Sequence, residues 1–432
     1  MNILARNKVV KNAAWIIGVK VVQAVVNMLI AMLTARYLGP SNYGQINYAA
    51  SLVAFFTPIM QLGLNGTLVQ ELVNHPECEG ETMGTAVLMN IASGLLCVVG
   101  LIAFASLSAV GDTETTVVCA LYSISMLMEA VHILQYWFQA RLLSKYTSLA
   151  MLAAYVIASI YQVFLLVTGK SIYWFAVSKV LDIAIIDVIL IRMYHRCGGK
   201  RLVFSWDTGR SLLKKSRFYI LANMMVVIFA QTDRIMLKMM IDDAATGYYS
   251  AAVACASLTS FVFSAIIQSM HPVILENYKS DRDAFERSLT TLYSIIVYLS
   301  VVQCIFIAGL APFIIRVLYG EAYALAVRPL RCIVWYTTFS YIGSANWVYI
   351  QATNNQAVLW KMNVVGAVAN VILNYAMIPV WGIEGAAIAS LLTQIITNIG
   401  SCFIFKTLRP IVGYLKEGLN GKNLIRGIRY LR

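Results

Sequence analysis

Four runs of polar residues at helical spacing interrupt otherwise apolar sequence, and their types suit the lining of a hydrated cavity. Lys20, Gln23, Asn27 and Thr34 share one helical face, as do Asn47, Ser51, Pro58, Gln61 and Asn65. The pattern returns far along the chain as Asn223, Gln231, Arg234 and Lys238, then as Ser257, Ser260, Ser264, Gln268 and His271. A Lys or Arg near the centre of a bilayer costs at least ~2.5–3.5 kcal/mol on insertion scales, so such faces line protein or water rather than lipid. Cations there can offer charge-assisted hydrogen bonds to an anion, Arg in a bidentate fork. The substrate-binding set read this way is Lys20, Gln23, Asn27, Gln61, Asn223, Arg234, Lys238 and Gln268.

Acidic and imidazole groups form a second set. Asp233 lies on a neighbouring face of the Arg234 helix, and Glu129 and His132 share a face with Tyr136 and Gln139. These three are the candidates for ion coupling, although buried, satisfied hydrogen bonds fit the same spacing. Lys179 and Asp182 are placed to pair along one helix, with Asp187 a further inward-facing acid. His271-Pro272 reads as a helix end, and Asn363, Asn370 and Asn374 as a face that bonds between helices. There is no GxxxxGK[ST], HExxH or GxSxG pattern, and the eight cysteines stand singly with no CxxC. No cofactor, metal or catalytic residue is expected.

The elements that must position these residues are apolar stretches of about twenty residues, the length that crosses a hydrocarbon core of roughly 30 Å. Twelve are expected, at 13–34, 46–69, 83–107, 116–139, 147–168, 172–191, 218–240, 248–271, 289–309, 327–350, 358–378 and 384–405. A hydrophobic content of 60%, a charged content of 12% and a mean hydropathy of +0.73 agree. No cleavable signal is read at the start, because the first span is too long for a signal segment. With the amino terminus inside, about 24 of the 33 Lys and Arg residues fall in cytoplasmic segments, which places both termini in the cytoplasm. The net charge of +13 is mostly this asymmetry and a basic tail beside anionic headgroups, and no soluble domain exists that would bind nucleic acid.

The longest polar connector divides the chain after six spans. Tyr43-Gly44 followed by Ala49-Ala50-Ser51 resembles Gly247-Tyr248-Tyr249-Ser250-Ala251-Ala252, and an offset of 212 brings Tyr136-Trp137-Phe138-Gln139-Ala140 onto Val348-Tyr349-Ile350-Gln351-Ala352 and Ser178 onto Ser390. The expected fold is an all-α integral membrane protein with twelve transmembrane helices in two six-helix lobes related by a parallel pseudo-repeat. Its parts are an N-terminal lobe at 1–193, a basic cytoplasmic connector at 194–217, a C-terminal lobe at 218–406 and a basic cytoplasmic tail at 407–432. Polar helices 1, 2, 7 and 8 would line a hydrated cavity between the lobes.

The segment Ala35-Arg36-Tyr37-Leu38-Gly39-Pro40-Ser41-Asn42-Tyr43-Gly44 resembles a hinge of bacterial polysaccharide flippases in the multidrug/oligosaccharidyl-lipid/polysaccharide exporter superfamily. Thr232-Asp233-Arg234-Ile235-Met236-Leu237 and Gly382-Ile383-Glu384-Gly385-Ala386-Ala387 are similar to further motifs of that group, in the same order along nearly the whole chain. The resemblance implies a transporter that flips undecaprenyl-pyrophosphate-linked oligosaccharide units from the inner to the outer leaflet by alternating access. It implies location in the bacterial cell membrane, membrane lipids as neighbours, and a polysaccharide polymerase and glycosyltransferases as functional partners. An acidic stretch without Lys or Arg (Glu71, Glu77, Glu79, Glu81) departs from the pattern and is a poor headgroup dock. The alternatives are a cation-coupled multidrug antiporter of the same fold and, in another class, a membrane-embedded biosynthetic enzyme. An antiporter favours unpaired acids in its lumen, and polymerases typically carry a large external loop.

Overall fold

A computed structural model describes residues 3–108 and 111–420, with side chains from residue 26 onward. The described residues form fifteen α-helices and no strand. The N-terminal helices are α1 (Ile3–Met60), α2 (Leu68–Asn74), α3 (Glu79–Ser108), α4 (Thr113–His132), α5 (Gln135–Ala140), α6 (Ser144–Thr168) and α7 (Ile172–Arg196). The C-terminal helices are α8 (Trp206–Met240), α9 (Asp243–Ala256), α10 (Ser260–Ser280), α11 (Arg282–Tyr319), α12 (Val327–Ala352), α13 (Ala357–Ile395), α14 (Ser401–Ile404) and α15 (Arg409–Gly418). Among the described residues six helical stretches are long and apolar enough to cross a membrane, or seven if the pair α9 and α10, bent by 46°, is one span.

Several expected spans are divided or joined differently. Helix α1 carries the first two in one run broken at Gly39, whose φ of 74° favours a residue without a β-carbon. Pro40 follows, which has no N–H to continue the ladder. The second span stops at Met60, and Leu64–Gly66 forms a short 3₁₀ turn before α2. Likewise α13 holds the eleventh span and most of the twelfth, broken at Gly382, then passes into a π-helical turn at Ile396–Gly400. The expected helix end at His271-Pro272 is not there. Helix α10 runs through both residues to Ser280, since proline inside a membrane helix removes one bond without ending the helix where other groups re-satisfy the backbone.

The connector is shorter than its charge pattern implied. Tyr194–Arg196 belongs to α7 and Trp206 already starts α8, leaving 197–205 irregular. This stretch lies on the start of α3: Val203 N–H donates to the Gly80 carbonyl (3.1 Å) and Ser205 N–H to Thr85 Oγ1 (3.0 Å). The acidic stretch that departs from the flippase pattern is what the basic segments bind. Glu71 pairs with Lys215 (2.8 Å), Glu79 with Arg141 and the Lys200 N–H, and Glu81 accepts from Thr208. In the tail, α15 buries Ile411 and Tyr414 against α11, and the bases Lys422, Arg426, Arg429 and Arg432 lie outside the described residues.

Buried apolar residues form four clusters. Two core clusters draw their buried residues from the segment between Tyr48 and Leu212, and a third from the segment between Phe263 and Tyr414. The fourth crosses: Met32, Ala35 and Tyr43 of α1 pack with Leu237, Tyr249, Tyr319 and Tyr323. There α1 and α9 touch backbone to backbone. A β-carbon on Gly44 would lie 1.8 Å from the Asp243 carbonyl oxygen, and one on Gly247 2.0 Å from the Pro40 carbonyl oxygen. The contact is reciprocal, residue i against residue i−4 of the other helix, as a local two-fold relation requires. Tyr323 OH donates to the Ala35 carbonyl (2.9 Å) and Arg36 donates to the Arg316 carbonyl (3.3 Å) alongside it.

Candidate functional site

Helix α8 presents three charged residues within two turns, and each meets a different environment. Asp233 is buried at 7% exposure and accepts four hydrogen bonds from neutral donors. Tyr249 OH and Ser390 Oγ both reach Oδ2 at 2.6 Å, while the Asn370 and Asn374 amides reach Oδ1 at 3.0 and 2.6 Å. The two asparagines, four apart, share the inward face of α13, and the Gly382 break returns Ser390 to the same acid. Asn370 Oδ1 and Asn374 Oδ1 are buried without a partner. Four donors therefore surround the carboxylate and favour its charged form. Among the described residues no group of three His, Cys, Asp or Glu side chains is placed to hold a metal ion.

Arg234, next in sequence, bonds other groups. Its Nε donates to Ser250 Oγ (3.2 Å) and its Nη1 to Gln231 Oε1 (2.9 Å), both neutral. It borders a cavity of about 40 Å³ together with Asp233, Phe229, Tyr249, Ser257 and Tyr336. Among the described residues, no ion pair involves it. Lys238, one turn on, is held by Asp112 at the start of α4 (2.8 Å) and Asp243 at the start of α9 (2.5 Å). Burial pushes the Asp112 carboxyl up, but the bonds from Lys238 and Thr115 outweigh it and hold it below its ordinary 3.8. This clasp ties the N-terminal helices to the C-terminal ones beside the Gly44 and Gly247 contact.

The remaining candidates are dispersed. Gln61, Glu129 and His132 border one small cavity with Asn65, Asn90 and Tyr136. His132 Nδ1 lies 3.1 Å from Asp187 Oδ1, so its partner comes from α7 rather than from Glu129 on its own helix. Asp187 Oδ2 and both polar atoms of the Asn90 side chain are buried without partners. Asn223 donates to Asn65 Oδ1 at 3.3 Å. Asn27 borders a cavity of about 170 Å³ with Gln162, Ser178, Lys179 and Asp182, and Lys179 and Asp182 pair at 3.2 Å. Gln268 borders a cavity of about 660 Å³ among α8, α10, α12 and α13. The side chains of Lys20 and Gln23 lie outside the described residues.

Three polar groupings were not visible in the sequence: the donors of Asp233, the acids of Lys238, and Asp187 beside His132. The usable signals were the Asn370 and Asn374 spacing and the Ser178 to Ser390 offset. Ser390 donates to Asp233, while Ser178 accepts from Gln162 (3.1 Å), so equivalent positions serve different partners.

Known proteins share this architecture. The solved lipid II flippase MurJ in an inward closed conformation superposes with a TM-score of 0.71 over 95% of this chain and 90% of its own, at 16% identity. An inward-facing multidrug resistance MATE transporter of the MOP superfamily gives 0.69 over 92% of this chain and 96% of its own, at 12% identity. Identities this low speak to the fold alone. The Haloferax volcanii protein named probable flippase AglR is 22% identical over 410 residues, covering 91% of this chain and 82% of its own length. Residues 9–278, more than half the chain, match the family described as polysaccharide biosynthesis protein, so the chain belongs to that family of multi-pass membrane proteins.

Proposed function

We propose that this chain flips undecaprenyl-pyrophosphate-linked oligosaccharide units from the inner to the outer leaflet by alternating access of two six-helix lobes. Glycosyltransferases would build the cargo and a polymerase would consume it. The observation that carries the reading is Arg234, a cation inside an apolar helix whose described partners are all neutral. A guanidinium so placed keeps its field for an incoming anion, and a pyrophosphate matches its fork. Lys20 stays a proposed second contact. A cationic drug would instead favour an open acid, but Asp233 is buried and fully bonded.

With both termini in the cytoplasm, the end carrying Gly39, Gly44 and Gly247 is external and closed, and the connector end is cytoplasmic. Asp233, to which Asn370, Asn374, Ser390 and Tyr249 donate, is the proposed coupling site for a proton. His132 with Asp187 and Glu129 is a second titratable station. Purified protein in proteoliposomes should translocate lipid-linked oligosaccharide and lose that activity in Arg234→Gln. Translocation at the wild-type rate by this variant would remove Arg234 from the site.

A further inference from the structure

We infer that the cavity among α8, α10, α12 and α13 is a receptor for the uncharged saccharide part of the cargo, distinct from the Arg234 pocket. The inference rests on the flippase reading. The cavity, about 660 Å³, falls within the roughly 300–1,000 Å³ of sites that enclose drug-sized ligands, room for a short saccharide. None of its lining side chains is charged. Amides and hydroxyls supply the polarity, notably Gln268, Asn363, Ser344 and Gln394, and Trp347 adds an aromatic face at 41% exposure. A lipid tail would select an apolar wall and a phosphate a cationic one. Hydroxyl groups with apolar C–H faces between them match neutral amides beside an indole.

Two local irregularities furnish this wall. The π turn at Ile396–Gly400 carries Thr397 and Asn398 into the lining, and such bulges recur at functional sites. Thr397 is 6% exposed, with its Oγ1 turned to the Gly366 backbone and without a hydrogen-bond partner, so it is the wall of the cavity that the turn shapes here. On the opposite wall Pro272 has no N–H to give the Gln268 carbonyl, which frees an acceptor beside the Gln268 amide. Trp347 is braced by the His271 ring, centroids 5.3 Å apart, and His271 is fixed by Gln351 at 2.8 Å.

Position relates this cavity to the anion pocket. Phe229 borders both, with Arg234 on one side and Gln268, Asn363 and Trp347 on the other. Ile350 and Leu359 in the lining flank the turn between α12 and α13, so the saccharide cavity reaches toward that end of the helices. In the proposed orientation this is the cytoplasmic end, where the cargo loads. A glycan seated here would direct its pyrophosphate past Phe229 toward Arg234, whose cavity of about 40 Å³ must widen to admit it.

The test compares two probes in proteoliposomes of the full chain: undecaprenyl-pyrophosphate bearing one N-acetylhexosamine, and the same carrier bearing the host's complete repeat unit. In the double variant Gln268→Leu/Asn363→Leu, and separately in Ser344→Trp, which fills the cavity, the ratio of repeat-unit to one-sugar flipping should fall by about tenfold or more. Arg234→Gln should lower both rates and keep the ratio. Wild-type ratios in both cavity variants would overturn the saccharide receptor while leaving the flippase reading intact. If wild-type protein flips neither probe, the flippase reading fails and the receptor with it. Should Ser344→Trp not reach the membrane, the double variant decides alone, since Gln268 is exposed and Asn363 half-buried.

Discussion

Arg234 and Lys238 stand one turn apart on α8 and carry the same charge, yet their surroundings assign them opposite work. Lys238 has two carboxylates from two other helices within 2.8 Å, so its field is cancelled locally and its value is mechanical. Arg234 bonds a serine and a glutamine, and the Asp233 carboxylate bordering its cavity is taken up by four neutral donors. On the proposed reading, a cation in an apolar helix is a clasp when acids pair with it and a receptor when they do not. Sequence spacing alone cannot tell the two apart, because the deciding groups arrive from α4 and α9.

The sharpest test sets the two residues against each other. Arg234→Gln should reduce polysaccharide export by about a hundredfold or more at normal membrane levels, the scale of losing one partner of a desolvated charge contact. Lys238→Gln should act through the clasp, leaving Asp112 and Asp243 to repel, with a severalfold loss that Asp243→Asn partly restores. No acid substitution should rescue Arg234→Gln. Rescue of both variants by Asp243→Asn, or of neither, would erase the distinction between clasp and receptor.

A smaller effect is expected where the clasp meets the glycine contact. In Gly247→Val the new β-carbon would lie 2.0 Å from the Pro40 carbonyl oxygen, so α1 and α9 must separate. Overpacking of this kind typically costs about 1–3 kcal/mol, here charged only to the closed state. Gln45 is buried at 4% exposure in the described structure, so a cysteine there should label slowly with an impermeant thiol reagent and severalfold faster in the Gly247→Val background. Equal rates would show that this contact does not govern closure. Labelling only from the cytoplasmic side would reverse the proposed topology.

What the sequence disclosed follows the range of the forces involved. The Gly39-Pro40 break and the i,i+4 pair Asn370 and Asn374 are local patterns, and the helices carry both. Glu129 and His132 are a local pattern too, yet His132 turns to Asp187, 55 residues away, because helix α7 packs against α4. The acidic stretch around Glu79 looked like a missing headgroup dock when read without its partners. Its role emerges only when Arg141, Lys200 and Lys215 close on it. The π turn leaves no mark in composition, since one extra residue per turn changes hydrogen-bond register and not hydropathy.

The Glu79 cluster and the Lys238 clasp are both ionic fastenings, at opposite ends of the molecule. If only the Lys238 end opens in each cycle, Glu79→Gln should lower the apparent melting temperature in detergent by a few degrees while the flipping rate per folded molecule stays at wild type. A matching loss of flipping would mean that the connector end also moves against α3 during transport.

Acid offers the gentlest probe of the same contrast. Asp112 is held below its ordinary value of 3.8 in the folded protein, chiefly by Lys238 and Thr115 against the opposing effect of burial. A carboxyl depressed on folding stabilises fully above its unfolded value and loses that contribution as pH falls through the lower folded one. Because the Asp112 side chain is 31% exposed, solvent screening limits the effect to about 1 kcal/mol or less. Labelling of a cysteine at Gln45 should therefore stay constant from neutral pH down to about 4 and rise modestly below it, once corrected for reagent chemistry. Asp112→Asn should show the raised labelling at neutral pH and a flat profile into acid. If the variant kept the wild-type acid response, the proton would be acting elsewhere, with Asp243, the second acid on Lys238, the first group to test.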